Sequence, residues 1–166
     1  MKVPMCVAKT LFGRGNYDKT RVQPSNAGKF SYPIPYQKQV HPNMCGDACL
    51  HMMGKFHGFA VNIDMRRNPR GIVSGLDDKN VTQNYPLQVQ ATPRSAAGLR
   101  QLLSNRGPLM CSGAYCRMGM LGDQGHWVVL KGYDQQNFYI HDPWHGPNTP
   151  WDQATFVGVL EKVISA

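Results

Sequence analysis

Residues 39–58 read QVHPNMCGDACLHMMGKFHG, and their apolar positions give the clearest structural signal in the chain. Apolar side chains recur at i, i+4, i+7, i+8 and i+11, which is the spacing of one buried face of a helix. These positions are Cys45, Cys49, Met52, Met53 and Phe56. Asn43 is a suitable N-cap and Gly58 a suitable C-terminal stop, so the pattern predicts a helix from Asn43 to Gly58.

Downstream of this helix the apolar pattern changes to that of strands. Short apolar runs that include β-branched residues predict strands at 109–112, 127–133 and 138–141. The sequence DQQN at residues 134–137 predicts a hairpin turn between the last two. A helix followed by consecutive strands indicates an α+β fold, in which the first helix packs on an antiparallel sheet.

Two further helices are predicted from capping signals. A Thr-Pro pair at residues 92–93 opens one that runs to about residue 106. A second Thr-Pro pair at residues 149–150 opens the other. Its apolar face would carry Phe156, Leu160, Val163 and Ile164. Residues 60–92 show no period, and we expect irregular structure with short helical pieces there.

The chain has 166 residues and a mass of 18.6 kDa, which is the size of a single domain. Apolar residues make up 42%, enough for a core, and charged residues only 17%, which excludes a disordered, highly charged chain. No window approaches the roughly 18 consecutive apolar residues that a membrane span requires. The N-terminus lacks the apolar region of a classical signal peptide, so we expect no membrane partner.

The net charge of +8 is concentrated in the first two thirds of the chain. Residues 1–30 are polar, glycine-bearing and basic, and we interpret them as an arm or linker. Residues 31–166 then form the folded domain. A basic surface suits nucleic acid, an acidic protein or solubility alone. Because no zinc-finger, homeodomain or RNP motif is present, nucleic-acid binding is not predicted.

Two segments carry the residue types that thiol catalysis requires. Cys45 would lie in the first turn of the predicted helix, where unpaired backbone N–H groups favour a thiolate. Gly46 allows close approach of a substrate backbone, and the side-chain amide of Gln39 could donate to a developing oxyanion. In the other segment His126 begins one strand and Asp142 ends the next, so the carboxylate can orient the imidazole across the hairpin.

Ideal hairpin geometry does not by itself bring this His–Asp pair together. A turn centred between Gln135 and Gln136 would place Asp142 opposite Val129 rather than His126. A bulge, a wider turn or strong twist has to close the difference, and the sequence leaves open which of them does so.

The cysteines could also have roles other than catalysis. Each of the five could be a small buried hydrophobic residue, as Cys49 is expected to be. A zinc site is conceivable from four of them, namely Cys45, Cys49, Cys111 and Cys116. Their C-x3-C and C-x4-C spacings differ from the usual two-residue knuckles, so neither a metal nor another cofactor is predicted.

Several motifs together connect the chain to a known family. They are Tyr32-Pro-Ile-Pro-Tyr36, the Gln-x5-Cys spacing that ends at Cys45, the run CGDACLHM at 45–52, Gly107-Pro108, Gly125-His126-Trp127, Gly132-Tyr133 and Phe138 to Trp144. On these motifs, residues 32–58 and 95–160 resemble papain-like cysteine peptidases. Within that group the chain is most similar to bacteriocin-leader (double-glycine) peptidases and to secreted effector cysteine proteases of plant-pathogenic bacteria.

The resemblance implies a papain-like fold and a role for each matching residue. Cys45 would be the nucleophile, His126 the general base and acid, and Asp142 the residue that orients it. Gln39 would lie in the oxyanion hole, and Trp144 would shield Asp142 from water. The chain departs from papain in having Asp rather than Asn at the third position, and in the cysteine one turn after the nucleophile.

The function implied by the resemblance is a cysteine endopeptidase that cleaves a protein substrate after a small residue, most simply Gly. The same residues could instead serve a deamidase, a transglutaminase or a peptidoglycan amidase, and the fold could also serve a non-catalytic binding module. With no signal peptide and no visible inhibitory propeptide, the chain is expected to be a toxin or effector domain. A dedicated export system would secrete it to act in the target-cell cytoplasm, and a cognate inhibitor or immunity protein would restrain it.

Overall fold

The computed structural model describes residues 29–42, 44–63, 78–114 and 125–166. The helices in these ranges are α1 (Cys45–His57), α2 (Asp78–Asn84), α3 (Ala96–Arg106) and α4 (Gln153–Val159). The strands are β1 (Phe30–Ser31), β2 (Gln88–Gln90), β3 (Leu109–Gly113), β4 (His126–Tyr133), β5 (Asn137–Asp142), β6 (Gly146–Asp152) and β7 (Leu160–Ser165). Cys6 and Cys116 lie outside the described residues.

The described strands form one antiparallel sheet in the order β2-β7-β3-β4-β5-β6. β1 pairs with the C-terminal end of β4, where Ser31 faces Gly132. A Cβ atom at Gly132 would lie 2.4 Å from the carbonyl oxygen of Phe30, so this close approach requires glycine. β4 therefore lies at the centre of the sheet and contacts β1, β3 and β5.

Alternate residues of β4 point to opposite faces of the sheet, and an apolar cluster covers each face. Val129 packs with the apolar face of α1, which contributes Cys49, Leu50, Met52 and Met53. Val128 and Leu130 pack on the other side with residues of α3 and α4, namely Leu99, Leu103 and Phe156. The predicted α+β fold, with its first helix packed against an antiparallel sheet, is confirmed.

The first helix and the three predicted strands lie where the sequence indicated, with ends that differ by one or two residues. α1 begins at Cys45, so its N-cap position is Met44, and the predicted cap Asn43 lies outside the described residues. α1 ends at His57, and its C-cap Gly58 has a φ of 79°, the left-handed conformation that glycine adopts readily. α3 begins later than predicted, at Ala96, because the Ser95 side chain caps it by accepting from the Gly98 N–H.

The predicted last helix is wrong. Residues 149–150 lie in β6, and the helix that follows is the seven-residue α4, capped by the Asp152 side chain. From Leu160 onward the chain is strand β7, which pairs with both β2 and β3. The apolar spacing of this short run suits either structure, and pairing with two distant strands stabilises the extended form.

The N-terminal part of the predicted domain division falls on residues 1–28, which lie outside the described residues. Phe30 already belongs to β1 and pairs with β4. The division into an arm and a domain stays a prediction. In the four described ranges, no helix is both long and apolar enough to cross a membrane.

Candidate active site

Cys45 is the first residue of α1, and its side chain is partly exposed. The preceding residue, Met44, is fully buried, and its N–H donates to the carbonyl of His41 at 3.1 Å, which turns the chain into the helix. The first N–H groups of a helix have no partner within the helix and carry partial positive charge. The thiol therefore lies where an anion would be stabilised and where a substrate could reach it.

A bulge in β4 solves the register problem of the His–Asp pair. Tyr133 pairs with Phe138 as in an ideal hairpin, but the register shifts between Leu130 and Gly132. Lys131 is the additional residue, and beyond it Val129 faces His141. Asp142 therefore falls beside residue 128 instead of 129. The one-residue shift thus brings Asp142, at the end of β5, one residue nearer to His126, at the start of β4, than an ideal hairpin would.

The structure brings His126 and Asp142 into direct contact. Nε2 of His126 lies 2.9 Å from Oδ1 of Asp142, and the two residues are 6% and 3% exposed. Burial alone would raise the pKa of Asp142, but its hydrogen bonds with His126 and with His145 hold that pKa well below its usual range. The carboxylate therefore stays ionised beside the imidazole at neutral pH.

Cys45 interacts with the His126 imidazole, and this interaction affects the pKa of the ring. Burial would lower the pKa of His126, but hydrogen bonds with Asp142 and Cys45 outweigh it and raise the pKa to about 9. Because Nε2 bonds to Asp142, Nδ1 is the ring nitrogen left for the thiol. The arrangement is a thiol, an imidazole and a carboxylate in sequence, and it can support an ion pair between sulfur and imidazolium.

Gln39 is buried next to this site, but its amide is turned toward the loop that precedes α1. Its Nε2 donates to the carbonyls of His41 at 2.8 Å and Pro42 at 3.0 Å. Both amide hydrogens are therefore engaged, and Oε1 has no partner within the described residues. In this conformation Gln39 holds the loop before Cys45, and donation to an oxyanion would require one of these bonds to be shared or released.

Trp144 lies two residues after Asp142, and it contacts the carboxylate through its backbone. Its N–H donates to Oδ1 of Asp142 at 2.9 Å, while the residue is 36% exposed. The turn also meets the loop before α1, because the Gln39 N–H donates to the carbonyl of Pro143 at 3.0 Å. Trp144 thus stands at the edge of the site beside the loop that leads to Cys45.

Two residues that contact Asp142 were not predicted from the sequence. The hydroxyl of Tyr36 donates to the Asp142 carbonyl at 3.1 Å and anchors the end of β5. The ring of His145 contacts the Asp142 carboxylate, with Nδ1 at 2.9 Å from Oδ2. The signal for His145 was its position three residues after Asp142 in a turn, where a side chain can fold back on an aspartate.

Asp47, two residues after Cys45, is another residue for which no role was predicted. It lies in the first turn of α1, is fully buried, and neither carboxylate oxygen has a hydrogen-bond partner in the described part of the chain. Burial raises its pKa to about 6.

Apart from Cys45, the cysteines Cys49 and Cys111 are fully buried, and burial raises the pKa of each thiol. Among the cysteines described, only Cys45 is exposed to solvent.

The described residues contain no cluster of three or more His, Cys, Asp or Glu side chains that could hold a metal ion. Cys45 lies partly exposed at the start of α1, while Cys49 and Cys111 are buried in the apolar clusters on opposite faces of the sheet. The fourth cysteine of the conceivable zinc set, Cys116, lies outside the described residues.

Comparisons with known proteins give matches for the family and for the fold. A family model described as the Peptidase_C39 like family matches residues 32–162. A crystal structure of a protein from Bacillus anthracis, described as a C39-like peptidase, superposes with a TM-score of 0.58 at 16% sequence identity. The alignment covers 80% of this chain and 94% of that chain, and it shows that the two share a papain-like fold. No curated protein matches the chain.

Proposed function

The chain belongs to the Peptidase_C39 like family and is a cysteine peptidase, and on that premise we propose that Cys45, His126 and Asp142 are its catalytic residues. One observation carries the proposal. Cys45, at the start of α1, interacts with the His126 imidazole and raises its pKa, and Nε2 of that imidazole lies 2.9 Å from the Asp142 carboxylate. This is the sequence of groups that activates a thiol nucleophile.

In the proposed reaction, the Cys45 thiolate attacks the carbonyl carbon of the scissile peptide bond. The resulting oxyanion is stabilised by backbone N–H groups at the start of α1, with Gln39 as a further donor if its amide is released from the loop. His126 gives its proton to the departing amine, which leaves an acyl-enzyme. Water then attacks the thioester, His126 takes its proton, and the acid product leaves Cys45. Asp142 orients the imidazole throughout.

We propose a small residue, Gly, immediately before the scissile bond. The two walls next to Cys45 would be the loop that Gln39 holds through His41 and Pro42, and the start of β4 at His126 and Trp127. The support is the rigidity of the first wall, which has two side-chain bonds and a backbone bond to Pro143. A branched side chain between two fixed walls would clash, whereas Gly would not.

The test compares purified wild type with Cys45→Ala on a cell lysate, followed by enrichment and sequencing of new N-termini. We expect new termini with wild type alone, each preceded by Gly. Bulky or charged residues before the cuts would contradict the narrow site. A mass gain at glutamine without chain cleavage would show deamidation instead, and termini that persist with Cys45→Ala would refute the assigned nucleophile.

We further propose that the peptidase is a toxin or effector, secreted by a dedicated export system and active in the target-cell cytoplasm. Its substrate would be a protein, and a cognate immunity protein would protect the producing cell. The support is the resemblance to effector proteases, together with a partly exposed thiol beside a buried imidazole and carboxylate. A partner that covers the start of α1 would block the site completely.

Expression in bacterial and eukaryotic hosts tests this role. Growth arrest or death is expected with wild type in at least one host and should be absent with Cys45→Ala. If the two forms are equally harmless in every host, the toxin role is refuted while the peptidase assignment stands.

A further inference from the structure

The two oxygens of the Asp142 carboxylate are held by different donors. Oδ1 accepts from Nε2 of His126 at 2.9 Å, and also from the backbone N–H groups of Trp144 at 2.9 Å and His145 at 3.1 Å. Oδ2 accepts from Nδ1 of His145 at 2.9 Å. Within the described residues, the ring of His145 is the one donor that contacts Oδ2. The orientation of the carboxylate therefore depends on a side chain outside the Cys–His–Asp set.

Burial makes this single donor important. The Asp142 side chain is 4% exposed, so bulk water cannot replace a donor that is lost from Oδ2. A buried carboxylate oxygen without a hydrogen-bond partner is destabilised by the full free energy of its desolvation. Rotation about the Cβ–Cγ bond is the simplest movement that gives the oxygen a new partner. That rotation would also move Oδ1 out of line with His126. With a donor on each oxygen, the plane of the carboxylate is fixed.

We propose that His145 is a positioning residue of this peptidase: its ring N–H holds Oδ2, so that Oδ1 stays directed at His126. The proposal rests on the catalytic roles assigned above to His126 and Asp142. His145 acts through Asp142 and contacts no reacting atom. Either the neutral Nδ1–H tautomer or the imidazolium supplies the required donor.

The surrounding turn does not need the His145 ring to keep its shape. The Tyr36 hydroxyl and the Gln39 N–H bind the carbonyls of Asp142 and Pro143. Gly146 has a φ of 133°, which glycine adopts without strain, and it begins β6 directly after the turn. The His145 side chain is 37% exposed, so its replacement leaves no internal cavity. The ring therefore contributes to the orientation of Asp142 rather than to folding.

Two replacements of His145 distinguish the loss of its hydrogen-bond donor from a change in side-chain shape. His145→Leu keeps the bulk but has no donor, whereas His145→Asn has an N–H at nearly the position of Nδ1. The matched control is His51→Leu, since His51 also makes one partly buried 2.9 Å bond, to the carbonyl of Ile63 and away from the site. Thermal unfolding of each variant confirms that it folds.

The first measurement needs no substrate. The His126 Nε2 proton shared with Asp142 should give a low-field proton NMR signal, assigned by its absence in His126→Gln. We expect the signal to be lost or broadened in His145→Leu and retained in both His145→Asn and His51→Leu. A signal that is unchanged in His145→Leu, or lost in both His145 variants while they remain folded, would overturn the proposal.

The second measurement is turnover of benzyloxycarbonyl-Gly-Gly-7-amido-4-methylcoumarin. His145→Leu should lower kcat on the order of ten- to a hundredfold with little change in KM, and His145→Asn should recover most of it. An equal loss in both variants, or a change confined to KM, would refute the positioning role. Turnover that survives in Cys45→Ala would instead refute the proposed function, and the NMR signal then still decides the role of His145.

Discussion

Replacing Asp142 with Asn should move the alkaline limit of activity to lower pH. Burial lowers the pKa of His126, whereas its hydrogen bonds with Asp142 and Cys45 raise it to about 9. An amide in place of the carboxylate keeps an acceptor but removes the negative charge. The imidazolium then loses stabilisation, and its pKa falls from about 9 toward the ordinary value of 6.5.

The size of the effect follows from the fraction of His126 that carries its proton, since the active form pairs a thiolate with an imidazolium. At pH 8 that fraction is about 0.9 for a pKa of 9 and about 0.03 for a pKa of 6.5, a difference of roughly thirtyfold. At pH 5.5 the same change alters the fraction by only about a tenth. Because Cys45 also raises the pKa of His126 while burial lowers it, thirtyfold gives the order of magnitude of the loss.

The assay is the pH profile of kcat/KM between pH 5 and 10 on the Gly-Gly coumarin peptide, for wild type and Asp142→Asn. Glu161→Gln is the control, because it removes one exposed carboxylate from β7. Loss of imidazole orientation would lower kcat/KM by the same factor at every pH. Loss of the negative charge would instead make the decrease in kcat/KM larger above pH 7. An alkaline limb that does not move in Asp142→Asn would refute the electrostatic role of Asp142.

Three further outcomes are expected. Iodoacetamide at neutral pH should modify Cys45 well before the two fully buried cysteines, as measured by peptide mapping; equal modification in the folded protein would contradict the site. Gly132→Ala should lower the free energy of unfolding by roughly 2–3 kcal/mol in urea titrations, because its Cβ would lie 2.4 Å from a carbonyl oxygen of β1. Gly158→Ala, whose Cβ meets nothing within 4 Å, is its control and should be nearly neutral. A peptide with Val in place of Gly before the cut should lose at least about 100-fold in kcat/KM, and equal turnover of both peptides would refute the narrow site.

The sequence predicted the elements that depend on local pattern. The apolar spacing of α1 and the turn at residues 134–137 are local signals, and the structure has both the helix and the hairpin. The same kind of signal failed at Leu160–Ser165, where a helical spacing of apolar residues belongs to strand β7. There the decisive interactions are with β2 and β3, and those pairings lie far away in the sequence.

The geometry of the site depended on features that no local pattern contains. An ideal hairpin would place Asp142 opposite Val129, three residues from His126, and the additional residue at Lys131 shortens this separation to two. The backbone pairing of β1 with β4 at Gly132, next to the bulge, could not be foreseen from spacing alone. The orientation of the Gln39 amide likewise depends on carbonyl groups of the folded loop, because His41 and Pro42 take both of its hydrogens.

The hydrogen bond from Tyr36 to the Asp142 carbonyl has a consequence for the order of events in synthesis and folding. The two residues are 106 positions apart, so the contact closes a loop that includes most of the domain. The thiol emerges from the ribosome long before the imidazole and the carboxylate that activate it. Under the proposed mechanism, a nascent chain therefore carries an inert cysteine, and the peptidase becomes active only when β4 and β5, which carry His126 and Asp142, have formed. The cell that makes the protein is thus exposed to a working protease only after synthesis of the domain is complete.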